Sequence, residues 1–225
     1  MKFSCSGILF DNDGVLVDSH AAAKAAWDVW ASEYHPGYDL DKAKNAGRRA
    51  EDMVRELTAP EFHDEAIDRI NALEQETAHM TIALAGAKEL LVSLNQKYWT
   101  ICTSANPNLG RARLMAAGLP VPELLVTGDD VERGKPYPDA YLLGAKKLGF
   151  EPEDCVVFED AQSGVLAAFE AGIGLVVGVG TRGMETDADL VVKDLTGISF
   201  DGEVLVIPDK NRLRQLNGRS SNVWG

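Results

Sequence analysis

Two aspartates spaced i, i+2 close an apolar run near the N-terminus, in Ile8-Leu9-Phe10-Asp11-Asn12-Asp13-Gly14-Val15-Leu16. Residues two apart on an extended strand point the same way. Asp11 and Asp13 therefore emerge side by side, where like charges repel. A cation must neutralise such a pair, or one member must carry a proton for chemistry. Three more groups follow along the chain: Thr103-Ser104, Gly134-Lys135-Pro136 and Glu159-Asp160. Together they amount to a doubled acid, hydroxyls, one fixed cation and a second acid pair. That set can grip a phosphoryl group and a hard cation at once. Asp11 is placed to attack phosphorus. Asp13 is placed to protonate the leaving alkoxide and then deprotonate water. Thr103 and the Ser104 amide can donate to phosphoryl oxygens. Lys135 opposes the negative charge that develops on transfer and keeps Asp11 ionised. Pro136 and Pro138 stiffen its loop. Mg²⁺ prefers an octahedron of oxygens and keeps several waters. Asp11, the backbone carbonyl of Asp13, Asp160 and the phosphate itself would suit it.

Each motif alone has an ordinary reading. Asp and Gly make turns, Thr and Ser cap helices, and Glu159-Asp160 can cap a helix starting near Ser163. Their order, each after an apolar run, is what points to one site. Residues 5–10, 99–102, 124–126, 155–158 and 175–179 are apolar almost throughout rather than alternating. That pattern predicts strands buried on both faces of a parallel sheet. Helical periodicity follows in 87–94, with Leu90, Leu91 and Leu94 on one face. It recurs in 109–117, 140–148 and 163–171, which end at Gly118, Gly149 and Gly172. The expectation is an α/β fold, a doubly wound, Rossmann-like parallel sheet that binds ligands at the carboxyl ends of its strands. Residues 19–84 interrupt the alternation with no expected strand. Trp27, Trp30, Ala31 and Tyr34 share a helix face; Met53, Val54 and Leu57 share another; Ile67, Ile70, Leu73 and Ala78 form a third. This block reads as an inserted helical lobe, with 1–18 and 85–208 as the core and 209–225 as a polar extension.

The chain has 225 residues, 45% hydrophobic and 25% charged, which fits a folded globular protein with a large core. A net charge of -13 argues against nucleic acid or anionic membrane as partners. Cys5, Cys102 and Cys155 lie in apolar runs and are odd in number, so they read as buried hydrophobes rather than a disulfide framework. His20, His35, His63 and His79 share no spacing and read as surface or structural residues. No apolar run reaches the ~18 residues of a membrane span. No signal-peptide pattern opens the chain, so a cytoplasmic location is expected.

The run from Leu9 to Ser19, followed by Thr103, Lys135 and Glu159-Asp160, resembles the four motifs of haloacid dehalogenase superfamily phosphohydrolases over roughly residues 4–207. The resemblance implies a helical cap at 19–84 that opens and closes over the site. It implies an aspartyl-phosphate on Asp11, with Asp13 as acid and base. It implies Mg²⁺ held by Asp11, Asp13 and Asp160, with Glu159 either a ligand or a support behind one. Asn12 replaces a usually apolar residue, its side chain directed away from the carboxylates. Dehalogenases and phosphonoacetaldehyde hydrolases resemble this scaffold but lack the second acid, so Asp13 argues for phosphate esters. The β-phosphoglucomutases carry a histidine where this chain has Ala23. Their cap motif ends Arg-Glu-Asp, whereas Gly47-Arg48-Arg49-Ala50-Glu51-Asp52 displaces the arginine. Residues 46–55, 99–104 and 158–161 look like the sugar-phosphate and polyol-phosphate phosphatases, the 2-deoxyglucose-6-phosphate and glycerol-3-phosphate phosphatases among them. The implied substrate is a small phosphorylated sugar or polyol. Arg48 and Arg49 are the cap cations expected to reach it, and Trp27 is expected in the cap core rather than as a sugar platform. The alternatives are a phosphoglucomutase-type isomerase and a non-catalytic phosphometabolite-binding protein. Asp11→Asn is expected to abolish phosphate release and leave circular dichroism unchanged; undiminished turnover would remove Asp11 as nucleophile.

Overall fold

The structure is a computed structural model and describes residues 1–41, 45–215 and 223–224. Strand β1 (Lys2–Ser4) precedes β2 (Gly7–Phe10), which is buried along its whole length. From β3 (Val17–Asp18) the chain enters helices α1 (His20–Tyr34), α2 (Ala50–Leu57) and α3 (His63–Thr77), and returns through β4 (Ile82–Ala83). Next come α4 (Ala87–Ser93), β5 (Trp99–Ile101), α5 (Pro107–Ala116), α6 (Asp139–Leu148), β6 (Cys155–Glu159), α7 (Gln162–Glu170) and β7 (Leu175–Val179). The chain finishes with the single turn α8 (Gly180–Gly183), then β8 (Leu190–Val192), β9 (Ser199–Phe200), β10 (Val204–Val206), β11 (Arg212–Gln215) and β12 (Val223–Trp224).

Among the described residues the main sheet runs β11-β8-β7-β6-β2-β5, parallel throughout except for β11. Its strands are apolar on both faces because both faces are covered. Ile8, Phe10, Val156 and Phe158 belong to the core on one side, Leu9 and Val157 to the core on the other. The register sets the site. Phe10 pairs with Ile101 on one flank and Phe158 on the other. Asp11, Cys102 and Glu159 are therefore the next residues out at one edge. The Asp11 amide donates to Phe158 O at 2.9 Å and the Cys102 amide to Phe10 O at 2.8 Å.

Several elements differ from expectation. The strand expected at 124–126 is a single parallel bridge, Cys102 to Val126, because Leu124 is turned to solvent, 41% exposed. Cys5 lies between β1 and β2 rather than within a strand, and all three cysteines are buried and free. A second, antiparallel sheet of order β12-β1-β10-β9 was not anticipated. The segment expected as a polar extension supplies β11, antiparallel to β8, and β12, antiparallel to β1. Its alternation of arginine with leucine is what an edge strand tolerates and a surface tail also shows. Residues 216–222 and 225, the rest of that segment, lie outside the described residues.

The helical lobe leaves and rejoins the core at one point. Val17 pairs with Ala83 and Asp18 with Ile82, so a two-stranded ribbon lies where no strand was expected. Strands of two residues are too short to produce a periodic signal. Inside the lobe Trp27 and Trp30 pack at 5.1 Å, Trp30 stacks on Tyr34 at 5.5 Å, and Trp27 meets Tyr38 at 5.4 Å. The Trp30 indole donates to Ala66 O at 2.9 Å, which ties α1 to α3. Trp27 is 2% exposed and packs with Met53, Val54, Ile70 and Leu73. Among the described residues no helix is long and apolar enough to cross a membrane.

Candidate active site

Lys135 occupies the centre of the strand-end cluster, beneath the floor of the cleft. Its ammonium donates to Asp11 Oδ1 at 2.6 Å and to Glu159 Oε1 at 2.7 Å, and it lies 4.9 Å from the centre of the Tyr141 ring. Burial alone would push this lysine down; Asp11 and Glu159 outweigh burial and hold it above the ordinary range. Burial likewise drives the Asp11 carboxyl well up, with Lys135 opposing and Glu159, Asp160 and Asp13 reinforcing, so the lysine alone does not keep Asp11 ionised, contrary to the expectation from sequence. Glu159 is fully engaged. Its Oε1 also accepts from the Tyr141 hydroxyl at 2.8 Å, and its Oε2 accepts from the amides of Asp160 at 2.8 Å and Ala161 at 2.9 Å. A Cβ on residue 164 would fall 1.6 Å from Glu159 Oε1, so glycine at 164 makes room for this carboxylate.

Asp160 differs from its neighbour. Its Oδ2 is buried without a hydrogen bond, although the Arg182 Nε lies 3.1 Å away as an ion pair. Burial, then Glu159, pushes its carboxyl up to about 7 against Arg182 and Lys135. Gly14, at φ 86°, lets the loop after β2 approach; a Cβ there would sit 2.1 Å from Asp160 Oδ2. Ligand oxygens of Asp11, Glu159 and Asp160 lie within 4.8 Å of one another. This donor set fits a hard cation. Asp160 offers an oxygen without a hydrogen bond and Asp11 a second oxygen, whereas both oxygens of Glu159 are already occupied by protein donors.

Asp13 is not one of that group, and its Oδ2 accepts from Asn12 Nδ2 at 3.4 Å, so the Asn12 side chain meets this carboxylate instead of pointing away from it. Asp13 Oδ1 accepts from the Ser19 hydroxyl at 2.6 Å and from Arg113 Nη1 at 3.1 Å, while Arg113 Nη2 reaches Glu74 on α3 at 3.1 Å. The Thr103 Oγ1 accepts from the Ala105 amide at 3.1 Å, and Thr103 is buried. Ser104 spends its hydroxyl on Gly47 O in the lobe, at 2.7 Å. Between lobe and core lies a cleft of about 2110 Å³ that Asp11, Asp13, Ser104, Arg48, Arg49 and Asp160 all reach. Arg48 pairs with Glu56 and Asn45, whereas Arg49 pairs with Asp52 and crosses to the core.

A family model for haloacid dehalogenase-like hydrolases matches residues 5–172. The chain belongs to this family. It is similar to hexitol phosphatase A of Escherichia coli, 43% identical over 76% of this chain and 82% of that protein. It is 30% identical to glycerol-1-phosphate phosphohydrolase 1 of Saccharomyces cerevisiae, over 86% of this chain and 84% of that protein. A hydrolase from Pseudomonas syringae shares the architecture with a TM-score of 0.76 at 28% identity, covering 85% of this chain and 94% of that one.

In this haloacid dehalogenase-like hydrolase the sequence motifs did not reveal Tyr141, Arg113 or Glu74, and they ended on Ser19 without giving it its role as a donor to Asp13. Arg113 and Glu74 carried no signal, since each is an isolated charge on an amphipathic helix. Tyr141 stands six residues after Lys135, and only the turn from loop into α6 brings both to Glu159. Lys135→Met is expected to destabilise the fold by about 3–5 kcal/mol in chemical unfolding, because it strands buried carboxylates. Adding Glu159→Gln to that variant should recover part of the loss. Wild-type stability in Lys135→Met would mean that the buried cation compensates nothing.

Proposed function

We propose that this chain is a Mg²⁺-dependent phosphatase that hydrolyses small sugar or polyol phosphate monoesters through an aspartyl-phosphate on Asp11. The observation that carries the reading is Asp11 paired with a buried lysine, two residues before a carboxylate held by Ser19 and Arg113. The Asp11 oxygen attacks phosphorus while the ester P–O bond breaks and Asp13 delivers a proton to the leaving alkoxide. Asp13 then takes a proton from water as that water attacks phosphorus, freeing Asp11 and inorganic phosphate. Lys135 and the Ser104 amide balance charge on the phosphoryl oxygens. Asp11, the Asp13 carbonyl and Asp160 would hold Mg²⁺, which when bound neutralises the phosphate and orients it for in-line attack. Glu159 orients Lys135 from behind.

The substrate class draws support from the named activities of the relatives and from the cleft wall. Asn71 and Gln75 on α3, with Asn106, Arg48 and Arg49, line it, a wall of amide and guanidinium groups suited to hydroxyls. Ala23 lines the same cleft and carries no group for proton transfer, which counts against the isomerase reading.

A panel of sugar and polyol phosphates, with Mg²⁺ and with EDTA, tests the reading. Metal-dependent phosphate release from a few related esters is expected; no release from any of them would overturn it. The pH dependence of stability gives a second check. Asp160, ordinarily at 3.8, is pushed up to about 7 in the folded chain. The cation-free fold therefore binds this proton where the unfolded chain has lost it. Its contribution to stability is full below 3.8 and is lost as pH rises through about 7. A cation competes with the proton. Mg²⁺ should raise the melting temperature more at pH 8 than at pH 5, and an equal rise at both would exclude Asp160 as a ligand.

A further inference from the structure

Arg49 stands at the start of α2, at the N-cap position, with an extended backbone. Its guanidinium carries five N–H groups in a fixed fork. Every one is used within the protein. Nε donates to Asp52 Oδ2 at 2.8 Å and Nη2 to Asp52 Oδ1 at 2.9 Å. Nη1 donates to Gly128 O at 3.3 Å and Val131 O at 3.2 Å, and Nη2 to Glu132 O at 3.2 Å. Asp52 braces the fork; three core carbonyls receive it. Those carbonyls lie on and just beyond a short 3₁₀ turn, Gly128–Asp130, where helical carbonyls lack internal partners.

The receiving loop is shaped for this side chain. A Cβ on residue 134 would lie 2.7 Å from Arg49 Nε and 2.9 Å from Asp52 Oδ2; one on residue 128 would lie 3.3 Å from Arg49 Cδ. Gly134 does not have a positive φ, so its lack of a side chain serves space and not backbone conformation. Lys135 follows Gly134 directly and ends inside the strand-end cluster. The loop is thus gripped at one end by the lobe and anchored at the other by the buried ammonium.

The neighbouring lobe residues are held more lightly. Ser104 donates to Gly47 O and Ser163 to Ala46 O, each at 2.7 Å. Both are neutral hydroxyl-to-carbonyl bonds, which contribute less than bonds from a cation.

We propose that Arg49, braced by Asp52, is the latch that seats the lobe on loop 128–134 and so positions Lys135, and that it is not a substrate ligand. This deepens the phosphatase reading and rests on it for the kinetic part of the test alone. A residue that bound substrate would need a free donor; Arg49 has none in the seated lobe. A latch acts on every substrate alike, because it controls closure and loop position rather than any contact with the sugar.

The test uses the full chain and three variants, Arg49→Ala, Arg49→Lys and Gly134→Ala. The last obstructs the latch without altering Arg49. Two esters are compared, sorbitol 6-phosphate and para-nitrophenyl phosphate, which has no hydroxyl to be recognised. Hydrogen exchange of peptides covering 45–52 and 128–135 is measured in parallel. Arg49→Ala and Gly134→Ala should lower kcat/KM by similar factors on both esters, about 10- to 100-fold. Both peptides should exchange faster. Lysine cannot make the fork, so Arg49→Lys should not restore the rate. A loss confined to sorbitol 6-phosphate, with exchange unchanged, would make Arg49 a substrate ligand and overturn the latch. If the wild type hydrolyses neither ester nor any member of the sugar and polyol phosphate panel, the phosphatase reading fails by itself. Exchange then decides the latch: acceleration in both variants supports it, and unchanged exchange overturns it.

Discussion

A lysine ammonium sealed between Asp11 and Glu159 is the interaction around which the core is arranged. Without it, three carboxylates with ligand oxygens within 4.8 Å of one another would face each other where little water reaches them. Removing one partner from a buried pair costs about 3–5 kcal/mol, a large part of the roughly 5–15 kcal/mol that a whole domain holds in reserve. The surroundings are consistent with that weight. The register of β2 against β5 and β6 brings the acids out at one edge. Gly164 leaves space for Glu159, and the Tyr141 hydroxyl and two backbone amides take up the rest of its lone pairs. The result is one acid saturated by the protein beside another, Asp160, with a buried oxygen that accepts no hydrogen bond. Two adjacent residues of the same charge are thereby given different surroundings, and different surroundings allow different work.

The lobe is attached on another principle. Ser104, Ser163 and Arg49 all bond to backbone carbonyls across the boundary. A carbonyl is present whatever side chain its residue carries. Lobe residues that line the cleft can therefore differ while the seating is kept. This suits a family whose relatives bear names as different as hexitol phosphatase and glycerol-1-phosphate phosphohydrolase. Two contacts differ and run through side chains alone: Asn106 of the core donates to Asn71 of the lobe at 3.1 Å, and Arg113 joins Asp13 of the core to Glu74 of the lobe. Arg113 connects the position of α3 directly to the second aspartate of the motif.

Much of this was legible in the sequence because it is local. An apolar run with no alternation marks a strand covered on both faces, and β2, β5, β6 and β7 are such runs. A glycine after a periodic segment marks a helix end, as Gly149 does in the left-handed conformation after α6. The edge elements were not legible. β1, β9 and β11 are short, partly exposed or mixed in polarity, and the same residues read equally well as turns or tail. The ribbon of β3 and β4 joins residues far apart in the chain through two pairs only, too few to leave a period.

The site divides in the same way. Residue types and their place after each strand depend on neighbours in the chain, and the sequence by itself determined these: Asp11 and Asp13 after the first apolar run, Thr103 and Ser104, Lys135, then Glu159 and Asp160. Which of them touch depends on loop paths, and only the tertiary structure decided that. Lys135 meets Asp11 across 124 residues and Glu159 across 24. Glu159 faces Lys135, Tyr141 and its own backbone, so its two oxygens are spent before any cation arrives. Arg48 and Arg49 look alike as adjacent cations on one lobe. The fold turns the first toward Glu56 at the cleft wall and spends all five N–H groups of the second on Asp52 and three carbonyls. Charge and spacing are local quantities, whereas the supply of unpaired acceptors around a side chain is set by every segment packed against it.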